Sequence, residues 1–158
     1  ILSPVVLLPK IMRLPAPKGV SVALLHPDLQ VNTAQARLQL PKSVPMKLWL
    51  EQQGLLAAFI HACATDDIDL IRQSLRDVVV EPHRKGNVVC FDEVVAAALK
   101  AGALGSTLSG SGPSIFALCK DNDARNVASA MEQACRGVGI SCQSWVSSMN
   151  APGASIES

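Results

Sequence analysis

Residue types able to do chemistry gather in three short stretches. The first is Leu104-Gly105-Ser106-Thr107-Leu108-Ser109-Gly110-Ser111-Gly112-Pro113-Ser114. Gly110 and Gly112 free the backbone to turn sharply, so successive amides can face one side and hold an anion such as a phosphate. Ser109, Ser111 and Ser114 add hydroxyl donors. No Gly-Lys-Ser/Thr ends the stretch, so it is not a Walker A loop, and it lacks the third glycine of a dinucleotide fingerprint. A purely structural turn between two strands explains it equally well. The second stretch is Asn32-Thr33-Ala34-Gln35-Ala36-Arg37. On a helix, Thr33 and Arg37 stand at i and i+4 and share a face. A guanidinium fork there suits a carboxylate or a phosphate; the plainer alternative is a capping threonine and a solvated arginine. The third is Glu81-Pro82-His83-Arg84, where Pro82 is expected to end a helix and stiffen the turn that displays Arg84. With Lys85 it reads equally as a solvated basic turn. His26, His61 and His83 read as surface or packing residues, and Asp66, Asp67 and Asp69 as a helix start rather than a metal site.

Elements must position these groups. Pro4, Pro9, Pro15 and Pro17 predict extended or edge structure over 1–19. Val20–His26 is rich in Val and Leu and predicts a buried strand, stopped by Pro27 and Asp28. A short helix capped by Asn32 or Thr33 follows, to about Leu40. Helices are predicted over Lys47–Ala64, with Leu56, Phe59, Ile60 and Cys63 at helical spacing, over Asp66–Val79, and over Phe91–Ala101. Strands at Gly105–Ser109 and Ser114–Cys119 flank the glycine loop. A helix over Asp121–Arg136 ends at Gly137 and Gly139. Ser141–Ser148 is the last strand, and 149–158 form a polar tail. Four strands with helices between them predict an α+β fold, one sheet covered by helices.

Composition narrows the function classes. At 158 residues the chain is one domain-sized unit. It is 49% hydrophobic and 17% charged, which suits a globular core and disfavours disorder. A net charge of +1 disfavours a nucleic-acid binder or an electrostatic membrane binder. Aromatics at 3%, with no tyrosine, leave no stacking platform for single strands. No apolar run reaches the ~18–20 residues of a membrane helix, and 1–9 lack the flanks of a signal peptide. Cys63, Cys90, Cys119, Cys135 and Cys142 are odd in number with no CxxC, so they read as core residues in a reducing, cytoplasmic setting.

Taken together, the stretches resemble the homoserine kinases of the GHMP small-molecule kinase family. The likeness runs in order through His26-Pro-Asp-Leu-Gln-Val-Asn-Thr-Ala-Gln-Ala-Arg37, Leu40-Pro-Lys42, Phe59-Ile-His-Ala-Cys63, Val80-Glu-Pro-His-Arg84, the loop Ser109-Gly-Ser-Gly-Pro-Ser114 within 103–118, and Ala151-Pro-Gly-Ala154. The glycine loop is the third motif of the whole superfamily. The Thr-Ala-x-Ala-Arg and Glu-Pro-x-Arg segments are much more specific to homoserine kinases.

The resemblance implies a mainly antiparallel, ferredoxin-like four-stranded sheet, the C-terminal domain of such a kinase. It implies ATP- and Mg2+-dependent transfer of a phosphoryl group to the side-chain hydroxyl of L-homoserine, giving O-phospho-L-homoserine for threonine synthesis. Arg37 and Arg84 would grip the homoserine carboxylate, Thr33 would lie beside the acceptor end, and Ser109, Gly110, Ser111, Gly112 and Ser114 would shape the phosphate region. The family's first and second motifs, the latter a Pro-x-x-x-Gly-Leu-Gly-Ser-Ser-Ala loop, are not in this sequence. The catalytic residues and most of the ATP and Mg2+ site are therefore expected in an N-terminal half, with 1–19 the last piece leading out of it and 20–158 the C-terminal domain. The chain alone is expected to be inactive, and a homodimer is compatible with the full-length protein. Departures from the family pattern are Asn87-Val-Val-Cys-Phe91 in place of a Leu-Ile-Pro-Gly-Phe run, Asn150 for an acidic residue, and Ser155 for an arginine. Two other readings are a non-catalytic module that keeps the amino-acid pocket, and another GHMP kinase acting on a different small molecule.

Overall fold

The Val/Leu run that opens the sheet folds as β1, Val20–Pro27. The computed structural model describes residues 14–152, so the expectations for 1–13 and for the tail beyond 152, the Gly153-Ala154 pair included, fall outside the described residues. After β1 come α1 (Thr33–Leu38), α2 (Met46–Thr65), α3 (Ile68–Ser74), α4 (Glu81–Arg84) and α5 (Phe91–Lys100). The hairpin β2 (Gly105–Leu108) and β3 (Ile115–Lys120), α6 (Ala124–Gly137) and β4 (Cys142–Ser148) complete the fold. The strands lie in the order β2-β3-β1-β4, and every pairing is antiparallel. That order in a βαββαβ chain is the ferredoxin-like arrangement, as expected.

Register decides which residues make which core. Ala23 pairs with Ala117 and Leu25 with Ile115, so these four side chains share one face, because neighbours along a strand alternate. They pack with Phe91, Val94 and Ala98 of α5 and with Val127, Met131 and Cys135 of α6. The intervening residues Val20 and Leu118 face the other way, onto Ala62 of α2, Ile71 of α3 and Leu104. Leu75 lies so close to β2 that a Cβ on Gly105 would sit 2.8 Å from its Cδ2; only glycine lets the segment after α3 approach the strand.

Four expectations need correction. The helix predicted over Asp66–Val79 is shorter: α3 begins after Asp67, whose carboxylate accepts from the Leu70 amide, and ends at Ser74. Beyond it the Asp77 carboxylate accepts from the amides of Val79 (3.0 Å) and Val80 (2.7 Å). A side chain that captures backbone donors in this way competes with continued helix. Pro82 accordingly does not end a helix; it stands in the first turn of α4, where its missing N–H costs nothing. The helix predicted from Asp121 starts with a 3-10 turn, Asp121–Asp123, before α6. In α2 only Ala62 and Cys63 of the predicted stripe region are buried, while Trp49, Leu50 and Leu56 are exposed.

Candidate functional site

The glycine-rich loop between β2 and β3 is the point on which two of the predicted site residues, Thr33 and Arg84, meet. Gly110 (φ +66°) and Gly112 (φ +80°) both adopt the left-handed backbone that other residues reach only with strain. The Ser109 amide donates to the Ser114 carbonyl at 2.8 Å and closes the loop at its neck. Among the described residues the amides of Gly110 and Ser111 have no acceptor, which leaves them free for an anion.

Helix α1 brings Thr33 to this loop. The Asn32 side-chain oxygen accepts from the amides of Ala34 (3.0 Å) and Gln35 (3.1 Å). Of the two expected caps it is therefore Asn32 that holds the helix end, and the Thr33 hydroxyl is released for the Ser111 hydroxyl, at 3.3 Å. Arg37 stands one turn further on, exposed, with no side-chain hydrogen bond or ion pair among the described residues.

Helix α4 brings Arg84 to the same loop from another direction. Its Nη1 donates to the Gly110 carbonyl at 3.2 Å, while its Nε is buried without a partner. An unpaired buried donor is rare enough to call for an acceptor not yet in place. The elements carrying the two arginines are tied together: the amides of Gln39, which caps α1, and Asn87, just past α4, exchange two hydrogen bonds of 3.0 and 2.6 Å. Thr33 and Arg84 thus touch neighbouring residues of one loop, and Arg37 is carried on a helix fastened to the Arg84 segment. The 640 Å3 cavity beside α4 is lined by none of Thr33, Arg37, Arg84 or the loop residues 109–114.

Two further contacts hold the loop and α4 in place, neither of them predicted from the sequence. His26, read as a strand-end or packing residue, places its Nδ1 2.8 Å from the Ser114 hydroxyl. The Thr107 hydroxyl donates to the Glu81 carboxylate, fixing the start of α4 to β2. His26 and Ser114 lie 88 positions apart, and only the β1–β3 register joins them. In contrast, the cysteines are core, as expected. Four are buried, and burial pushes the Cys119 thiol up to about 11, too high to supply a thiolate nucleophile near neutral pH.

Burial raises the Glu81 carboxyl above its ordinary value near 4.5, opposed by the Thr107 hydrogen bond, which lowers it. A carboxyl raised on folding binds its proton more tightly folded than unfolded. Stability therefore falls as pH rises from the ordinary value through the folded one. Glu81→Gln keeps an acceptor for Thr107 and removes the titration. By urea unfolding across pH it is expected to lose that downward slope and to be at least as stable as the parent at pH 7. A variant that keeps the slope would show that another group causes it.

The donor set fits an anionic phosphate: glycine-loop amides, the hydroxyls of Ser109 and Ser111, and a guanidinium beside them. Among the described residues no cluster of three or more His, Cys, Asp or Glu side chains is placed to bind a metal ion. No described helix is long and apolar enough to cross a membrane.

Known proteins are similar to this chain in sequence and fold. The family model described as GHMP kinases C terminal matches residues 59–137. The homoserine kinase of Chlorobaculum tepidum is 42% identical over 143 residues, covering 89% of this chain and 44% of that protein. The homoserine kinase of Xanthomonas campestris pv. campestris is 34% identical over 150 residues, covering 94% and 47%. The crystal structure of homoserine kinase from Cytophaga hutchinsonii superposes with a TM-score of 0.85 at 36% identity, over 88% of this chain and 44% of that one. Mevalonate kinase of L. major shares the fold, with a TM-score of 0.60 at 15% identity. The chain spans less than half the length of the relatives it matches.

Proposed function

The chain belongs to the GHMP kinases, as their C-terminal domain, and from that premise we propose that the protein it comes from is a homoserine kinase. Arg37 and Arg84 hold the L-homoserine carboxylate between two guanidinium forks. Thr33 lies at the acceptor end, and Gly110, Ser111, Gly112 and the hydroxyls of Ser109 and Ser114 border the phosphate being transferred. The side-chain oxygen of homoserine forms a bond to the γ-phosphorus of ATP, the bond from that phosphorus to the bridging oxygen breaks, ADP leaves, and the hydroxyl proton passes to solvent. ATP would supply the phosphoryl group, and Mg2+, which residues of the N-terminal half would hold, would supply charge neutralisation at the phosphates. Such a transfer depends on positioning and charge stabilisation more than on covalent help from the protein.

The observation that carries the reading is the meeting of Thr33 and Arg84 on adjacent loop residues, at 3.3 and 3.2 Å. It supports a carboxylate grip beside the free amides of the loop. The identities of 34–42% to homoserine kinases over most of this chain favour homoserine over other GHMP substrates. The exposed apolar side chains of α2, Trp49, Leu50 and Leu56, offer a surface against which the N-terminal half would pack. The five free thiols suit a reducing compartment, and the reaction is assigned to the cytoplasm.

The 158-residue chain alone is expected not to turn over ATP, with or without homoserine. A coupled ADP-release assay on the purified chain checks this, and sustained turnover would overturn the division of labour between the halves. Calorimetry on the same chain separates the readings. Binding of homoserine but not ATP, together with a full-length protein that fails to phosphorylate homoserine, would favour a non-catalytic amino-acid module. Phosphorylation of a different small alcohol in a substrate panel would favour another GHMP kinase.

A further inference from the structure

Helix α4 has two ends with different surroundings. Arg84, at its C-terminal end, meets the glycine loop, while Glu81 and Pro82, at its start, wall a cavity of about 640 Å3. That volume is in the range of small-molecule sites. Leu75, Leu99 and Leu104 give the cavity an apolar lining, and Arg72 and Arg76 bring positive charge to it.

The charges there balance in number, two arginines against two carboxylates, but they are not paired with one another. Two carboxylates line the same space, but both are engaged elsewhere: Asp77 accepts from the Val79 and Val80 amides, and Glu81 accepts from the Thr107 hydroxyl. Neither pairs with an arginine. Arg72 donates through Nη1 to the Ala103 carbonyl at 3.2 Å, which fixes its guanidinium at the cavity edge. The Arg76 amide donates to the Ser74 carbonyl at 2.8 Å, but its side chain has no hydrogen bond or ion pair among the described residues. A fixed fork and a free fork four residues apart, over a leucine lining, match an anionic head with an apolar tail.

We propose that this cavity is a second ligand site, which takes a small organic carboxylate with a short apolar tail, the head on Arg76 and Arg72 and the tail on the three leucines. It is separate from the homoserine grip assigned to Arg37 and Arg84. Because Glu81 and Pro82 wall it and Arg84 lies on the same single-turn helix, a ligand there presses on the element that holds the glycine loop.

The test is a methyl and amide NMR titration of the 158-residue chain with pentanoate, with the uncharged pentanamide, and with inorganic phosphate. Pentanoate is expected to shift the methyl resonances of Leu75, Leu99 and Leu104 saturably, while pentanamide and phosphate at the same concentrations do not. Arg76→Met is expected to weaken pentanoate at least about tenfold, the loss of a charge-assisted contact. Equal shifts with pentanamide would reduce the cavity to an apolar hollow, and equal binding of phosphate would reduce it to a bare anion site. Pentanoate shifts centred on 109–114 would return the ligand to the homoserine site. Each of these outcomes overturns the proposal, as does unchanged binding by the variant. If Arg76→Met does not fold, the salt dependence of pentanoate binding to the parent decides: affinity must fall as NaCl is raised, and salt-insensitive binding refutes the arginine contact.

Discussion

Arg84→Ala, made in the full-length protein, is expected to raise KM for homoserine by at least about tenfold, the loss of a charge-assisted contact worth about 1.5–3 kcal/mol. The effect is large because this guanidinium has two tasks. Through Nη1 it holds the Gly110 carbonyl, and in the proposed reading the same guanidinium also takes the substrate carboxylate. Arg84→Lys keeps the charge but not the planar fork, so it is expected to recover only part of the loss. Arg37→Ala should behave like Arg84→Ala in KM, although Arg37 makes no contact with the loop, and that comparison isolates the carboxylate from the loop. Steady-state kinetics with homoserine varied at saturating ATP measure all three. If KM is unchanged in both alanine variants, the carboxylate grip is wrong. If Arg84→Ala lowers kcat alone, Arg84 serves the loop and not the substrate.

The strands and most helices were legible because their signals are local. Val20–His26 is a Val/Leu run ended by Pro27-Asp28, and the strand indeed spans Val20–Pro27. Asn32 and Thr33 are both good capping types. Only coordinates show that Asn32 takes the cap and leaves Thr33 its hydroxyl for Ser111. The end of α3 was misplaced for a related reason. The apolar spacing continues through Leu75 and Val78, but the Asp77 carboxylate draws the Val79 and Val80 amides out of helical pairing. In α2 the spacing of Leu56, Phe59, Ile60 and Cys63 marks a helix, yet of those four only Cys63 is buried, with Phe59 half-buried against the core and Leu56 exposed. The partners of the site were not legible at all. His26–Ser114, Thr33–Ser111 and Arg84–Gly110 span 88, 78 and 26 positions, and nothing local in the sequence records such pairings. Residue type and short spacing nominate donors, whereas strand register selects which of them meet.

The same register makes a stability prediction that separates scaffold from chemistry. Ile115 follows Ser114 directly, pairs across the sheet with Leu25 and Leu108, and is fully buried beneath the loop. Ile115→Ala removes side-chain carbon from a packed face that cannot collapse, because β1 and β2 hold it on both sides. A cost of about 2–5 kcal/mol is expected, against about 0.5–1.5 kcal/mol for Ile115→Val. Total stabilities of domains are only about 5–15 kcal/mol, so the alanine variant can lie near the edge of folding and the valine variant carries the functional comparison. Urea unfolding followed by Trp fluorescence measures the first, and kcat/KM of the full-length protein measures the second. Ile115→Val is expected to lower stability while leaving kcat/KM within about twofold, the reverse of Arg84→Ala. A cost below about 1 kcal/mol for the alanine variant would mean that the loop does not rest on a packed core. Its geometry would then have to come from the side-chain hydrogen bonds of His26, Thr33 and Arg84 alone.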